Sequence, residues 1–166
     1  MLVRTCAILL AAAVGLAIGL ALVILVEMRE LRADDSAPVE LEAAEQTYRA
    51  AGPEVALPEF ERLAAVYQAA GDRRAAATAI RFIGEIHWRL GEFAQAEEHL
   101  LQALQATVET ADRAQQARVL NVLGLLEWDR GNYAPALAQF RQAAELAAAV
   151  GDARLEGAVL NNLSLV

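Results

Sequence analysis

The first part of the chain is an apolar run that no charge interrupts. From Thr5 to Val26 there are 22 residues without an acidic or basic side chain. A helix rises about 1.5 Å per residue, so this length covers the roughly 30 Å hydrocarbon core of a bilayer. The run exceeds the apolar centre of a signal peptide, about 7–15 residues, and ends in Leu25-Val26-Glu27-Met28 rather than in small residues. We predict a transmembrane anchor within residues 1–32, crossing through 5–26, with a linker over 33–38; late cleavage at Ser36-Ala37-Pro38 is the alternative.

The charges that flank this segment decide its orientation only narrowly. Arg4 and the free amino terminus precede it, and Arg29 and Arg32 follow it, which is close to a tie under the positive-inside rule. Because so few residues come first, we expect a single-pass signal-anchor with the rest of the chain on the exported, periplasmic or extracellular side. Gly15 and Gly19 form a small-xxx-small pair that predicts dimerisation in the membrane, although glycine is common in membrane helices of any kind.

The rest of the chain repeats its apolar and polar residues with a period of 40. Ile83-Gly84 returns as Leu123-Gly124, and Tyr48 returns as Trp88 and Trp128. Several further matches share this single offset, which composition alone does not produce. The pattern predicts an all-α fold, a solenoid of helix-turn-helix repeats over residues 39–166. Its units are 41–80, 81–120, 121–160 and a truncated 161–166.

Each period contains the start and stop signals of two helices. Aspartate or asparagine is a good N-cap, and glycine tolerates the left-handed conformation that ends a helix. Asp72 and Asp112 therefore begin first helices that end near Leu90 and Arg130, and Asn132 begins a second helix that reaches about Val150. Small residues are expected where the paired helices approach closely: Gly84, Gly124, Ala96, Ala136, Ala103 and Ala143. Larger residues are expected to fill the space between them: Ile80, Ile83, Phe93, Leu100, Leu120, Leu123, Tyr133 and Phe140.

One period carries a characteristic succession of residues: Leu120, Leu123, Gly124, Gly131, Tyr133, Ala136, Phe140 and Ala143. This succession resembles the signature of the tetratricopeptide repeat (TPR) family. The resemblance implies a curved stack of helix pairs whose first helices form a concave, ligand-binding face. The period is longer than is usual for the family, and the late proline is missing, which predicts extended second helices. The first unit keeps little of the signature and carries Pro53 and Pro58, so we expect an atypical capping repeat there.

Helical spacing and the resemblance together select candidate partner-binding residues on the first helices. These residues are Tyr48, Arg81, Glu85, Trp88, Arg89, Asn121, Leu125, Trp128 and Asp129. An aromatic row flanked by amides and mixed charge suits the binding of a peptide or a helix. The alternative is that the tryptophans pack between repeats as part of the core.

Composition and charge exclude several classes of function. The chain has no lysine and a net charge of −8, which disfavours nucleic-acid binding. The lone cysteine, Cys6, cannot form an intrachain disulfide, and His87 and His99 lack the spacing of metal ligands. No phosphate-binding loop or catalytic constellation is present, so we predict a chain that is not an enzyme and needs no cofactor. The alanine-rich, arginine-only composition is typical of a GC-rich bacterial genome.

These observations predict a membrane-anchored scaffold that binds a protein or peptide partner. The sequence ends inside a first helix, at Asn161-Asn162-Leu163-Ser164, and a repeat array needs a capping element, so we expect a longer protein. Long repeats that begin with Leu-Asn-Asn-Leu resemble those preceding caspase-like CHAT peptidase domains. The alternative function is therefore the N-terminal repeat region of such a multidomain peptidase.

Overall fold

The computed structural model describes residues 39–164, which form helices joined by short turns. Helix α1 covers residues 39–51, the part of it that is described. The others are α2 (Pro53–Ala70), α3 (Arg73–Arg89), α4 (Phe93–Glu109), α5 (Arg113–Asp129), α6 (Tyr133–Val150) and α7 (Ala153–Leu163). Each helix from α2 onward packs against the next one in the chain. We call α1, α3, α5 and α7 the first helices, and α2, α4 and α6 the second helices.

The predicted repeat is confirmed by the helix boundaries. First helices begin at Arg73, Arg113 and Ala153, so each starts one full period after the last. Second helices begin at Pro53, Phe93 and Tyr133, which are separated by the same period. An all-α repeat solenoid is therefore correct for the described residues.

Aspartate side chains begin the first helices, as predicted. Asp72, Asp112 and Asp152 each accept a hydrogen bond of 3.0 Å from the backbone N–H three residues later. Such a cap satisfies one of the backbone donors that the first turn leaves without a helical partner. The residue before each aspartate is left-handed, and at Ala111 (φ 54°) this conformation is held without glycine.

The prediction for Asn132 is right about the boundary and wrong about the cap. Asn132 precedes α6, but its side chain makes no capping hydrogen bond. Instead its amide donates to Glu127 Oε2 at 2.8 Å, across the turn from α5. This charge-assisted bond uses the amide nitrogen as a donor, whereas a cap would use the amide oxygen as an acceptor.

Close packing of the α3–α4 and α5–α6 pairs depends on glycine, as the sequence predicts. A Cβ placed on Gly84 would lie 2.7 Å from Leu100 Cγ, and one on Gly124 would lie 2.5 Å from Phe140 Cε1. Distances this short are not available to a real side chain, so only hydrogen fits between these helices. The alanines expected at the interfaces are fully buried: Ala96, Ala103, Ala136 and Ala143.

Most of the larger residues predicted for the core are buried, but Tyr133 is not. Its relative exposure is 56%, whereas Phe140, two turns further along α6, is 0% exposed. Tyr133 is the first residue of α6, where the helix emerges from the turn and its neighbour no longer covers it. Phe93, the equivalent first residue of α4, is half-buried.

Three sequence predictions concern segments at the start of the chain. Among residues 39–164, no helix is long and apolar enough to cross a bilayer. The predicted membrane span over residues 5–26 lies outside the described residues, as do Gly15 and Gly19 and the linker over 33–38.

Candidate partner-binding face

Side-chain hydrogen bonds join each first helix to the next. The Tyr48 hydroxyl of α1 donates to Glu85 Oε1 of α3 at 3.2 Å. The Trp88 indole of α3 donates to Asp129 Oδ2 of α5 at 2.7 Å, and Asn162 of α7 donates to Asn121 Oδ1 of α5 at 2.8 Å. Most of the predicted binding residues thus meet in a single ladder across four helices. These bonds set the register between repeats, a role that the sequence pattern did not indicate.

Glu85 is the centre of the ladder between α1 and α3. Besides Tyr48, its carboxylate accepts from Arg81 Nη1 at 3.0 Å and lies 3.5 Å from Arg89 Nη2. Burial, and then the charge of Glu85, raise the pKa of Tyr48 well above its ordinary value of 10, so the hydroxyl stays a donor. Tyr48 also packs edge-on against Phe82, with ring centroids 6.0 Å apart.

The two tryptophans are both half-buried but have different surroundings. Trp88 holds Asp129 through its indole nitrogen, and the Arg89 guanidinium lies 5.6 Å from its ring centroid. Trp128 packs against the core cluster that α5, α6 and α7 share, together with Leu125. Both tryptophans therefore pack against the protein and still keep part of their ring surface exposed.

A cleft that sequence analysis missed lies along the first helices. It has a volume of about 490 Å³ and is lined by residues of all four first helices. Four arginines contribute to it, Arg49 from α1, Arg81 from α3, Arg118 from α5 and Arg154 from α7, and we call it the arginine cleft. Only Arg81 was among the predicted binding residues.

The residues of the cleft could not be found from the repeat pattern. Arg49, Arg81, Arg118 and Arg154 occupy four different positions of the repeat period, so they do not align with one another. A search for a shared position therefore passes over them. They converge because neighbouring helices place different positions of the period side by side.

His87 and His99 are separated in sequence but in contact in the structure. Their rings stack with centroids 5.4 Å apart and an interplanar angle of 6°. His87 Nδ1 contacts Glu92 across the turn between α3 and α4, which is the place of the Glu127–Asn132 bond one repeat later. His99 Nδ1 is buried and has no hydrogen-bond partner among the described residues. Nor do His, Cys, Asp and Glu side chains in this part of the chain form a group of three or more that could hold a metal ion.

Because of this histidine pair, we expect the protein to lose stability in mild acid. Burial, and then His87, lower the pKa of His99 below its ordinary value of 6.5, while Glu98 and Glu61 oppose the shift. The unfolded chain therefore takes up its proton at a higher pH than the folded chain does, so stability is complete above about pH 6.5 and falls as the pH drops below it. We expect the urea midpoint to decrease between pH 7 and pH 5.

Glutamine is the natural replacement for His99, because Gln139 stands at the equivalent position of the next repeat. In the His99→Gln variant, the decrease of the urea midpoint between pH 7 and pH 5 should be smaller than in the wild type. Equal decreases in the two proteins would show that this pair does not control the acid response.

Comparison with known proteins identifies the repeat. The family model described as tetratricopeptide repeat matches residues 74–149. No curated protein matches the sequence. The matched segment comprises α3 to α6, the two helix pairs in which Gly84 and Gly124 make the close contacts. Residues 74–149 therefore match the tetratricopeptide repeat family.

Proposed function

We propose that this chain is a scaffold that binds a protein partner along its first helices and is held at a membrane by residues 5–26, with the repeats on the exported side. The match to tetratricopeptide repeats supports the part of the proposal that concerns protein binding. The observation that carries the proposal is the arginine cleft, to which all four first helices contribute. A surface built from four successive repeats suits an extended ligand better than a small molecule.

The ladder supports the same function by a different route. Tyr48–Glu85, Trp88–Asp129 and Asn121–Asn162 link adjacent first helices, so the face is held in one arrangement before a partner arrives. A surface that is ordered in advance loses less conformational entropy on binding. Replacement of a ladder residue would therefore weaken binding without removing a direct contact.

Site-specific photo-crosslinking in the producing cell tests the proposal. Benzoylphenylalanine is placed in the cleft at Ala158 or Arg49, both exposed, and at the control positions Leu101 or Val108 of α4, also exposed. Irradiation should give a discrete adduct with one protein at the cleft positions only, and the adduct should sediment with membranes. Deleting residues 1–32 should release it to the soluble fraction. Adducts at the α4 positions alone, or at none of the four, would contradict the proposal.

A further inference from the structure

The arginine cleft has a charge opposite to that of the chain. Its charged residues are Glu45, Arg49, Arg81, Arg118, Asp152 and Arg154, four positive and two negative. The whole chain carries a net charge of −8. A local excess of positive charge on an acidic protein attracts anionic groups to that place and keeps them from the rest of the surface.

The cations of the cleft are not all neutralised by the chain itself. Arg49 pairs with Glu45 at 2.7 Å, and Arg118 pairs with Asp152 at 2.8 Å. Arg154 is exposed and makes no hydrogen bond or ion pair with any residue from 39 to 164. It therefore offers its whole guanidinium fork to a ligand, and this fork matches a carboxylate.

Arg81 supplies an independent sign that a ligand is expected. Its relative exposure is 6%, and its guanidinium lies 3.8 Å from the Phe82 ring centroid. Nη1 donates to Glu85, but Nε has no partner, and the buried Oε1 of Gln115 in the same cleft has none either. Buried polar atoms in proteins are nearly always satisfied, so an unpaired donor and an unpaired acceptor in one cleft point to groups that a partner supplies.

The presence of arginine at these positions is not a by-product of the repeat. The four arginines come from four different positions of the period, so no single conserved position of the repeat accounts for them. At the position equivalent to Arg81 the next repeat has Asn121, and at the position equivalent to Arg118 it has Ala158. The packing of the repeats in this chain therefore does not require arginine at these places.

From the charge, the free guanidinium and the unpaired atoms, we infer that the arginine cleft binds an acidic segment of the protein partner, whose Asp and Glu carboxylates lie against Arg154, Arg118 and Arg81. This inference rests on the proposed function, since it specifies the chemistry of the partner on the same face.

A designed peptide pair provides the test. The full chain in non-ionic detergent is titrated into a fluorescein-labelled octapeptide of alternating Glu and Ser, or into the same peptide with Gln in place of Glu, and polarisation is followed. The Glu peptide should bind, about tenfold or more tighter than the Gln peptide, and its affinity should fall as NaCl is raised. Equal affinities for the two peptides, or no binding, would overturn the inference.

Two arginine variants locate the site. Arg154→Glu should lower the affinity for the Glu peptide about tenfold, because it replaces a free cation of the cleft by an anion. The matched control is Arg141→Glu on α6, an exposed arginine outside the cleft with no ion pair to the described residues, and it should change the affinity less than twofold. Equal losses in the two variants would mean a general charge effect and would overturn the inference. Both variants are checked for unchanged helicity by circular dichroism.

Inorganic phosphate and crosslinking separate the remaining outcomes. If phosphate binds and the Glu peptide does not, the cleft is an anion site for another ligand, and the inference is wrong. If neither anion binds but Ala158 still gives adducts in cells, the scaffold function stands and only the acidic partner is rejected. If the cleft positions give no adducts in cells and the Glu peptide does not bind, both the scaffold function and the acidic partner are rejected.

Discussion

Replacing Phe140 by alanine is expected to lower the free energy of unfolding by about 3–5 kcal/mol. The ring is fully buried and belongs to the core cluster between α5, α6 and α7. It also lies over Gly124, so the cavity left behind is lined by a backbone that has no side chain to fill it. The effect is measured as the change in urea unfolding of the full chain in detergent, followed by circular dichroism.

Tyr133→Ala is the matched control for this prediction. Both residues are aromatic and both lie on α6, but Tyr133 is 56% exposed. Its replacement should change the free energy of unfolding by no more than about 0.5 kcal/mol, as is usual for surface positions. A loss at Tyr133 as large as that at Phe140 would contradict the packing of the third helix pair described above.

Adding a single methyl group at Gly124 should be the second most damaging change. In Gly124→Ala the new Cβ meets the Phe140 ring at 2.5 Å from Cε1, and that ring is buried and cannot turn away. Helices α5 and α6 must then separate, at a cost of about 1–3 kcal/mol, although alanine is intrinsically the better helix former. The same urea titration measures it.

Gly157→Ala is the control, because it makes the same chemical change where there is room. A Cβ at Gly157 has no heavy atom within 4 Å, so this variant should gain about 0.5–1 kcal/mol from helix propensity alone. The free energy of unfolding is therefore expected to fall in Gly124→Ala and to rise in Gly157→Ala. The single variants Gly124→Ala and Phe140→Leu are also combined. The loss of unfolding free energy in the double variant should differ from the sum of the two single losses, because the residues are in contact. Strict additivity, or a gain at Gly124, would mean that the close contact is not a constraint.

The repeat architecture was predictable from the sequence because its signals are local or periodic. Asp72 and Asp112 mark helix starts through bonds to backbone three residues away, and the prediction of their positions was confirmed. Gly84 and Gly124 recur at the spacing of the repeat, and each faces the second helix of its own repeat. Such features depend on neighbours that the sequence itself places nearby.

The candidate site was predictable only in part. The sequence placed Trp88 and Asp129 on the first helices, but it could not indicate that they bond to each other rather than to a partner. The sequence predicted Tyr133 to lie in the core, but its side chain is exposed in the structure. The exported orientation of the repeats and the alternative of a downstream peptidase stay predictions.

The sequence by itself determined where helices begin and end, which faces are apolar, and that the two-helix unit recurs at a fixed period. Capping, glycine turns and hydrophobic periodicity act within a few residues, so they can be recognised in the sequence. Only the tertiary structure decided which polar side chains meet. Arg49, Arg81, Arg118 and Arg154 share one cleft because the packing of successive helix pairs sets how far each first helix is shifted against the next. That shift depends on side-chain volumes at many contacts together, and no single position of the repeat records it.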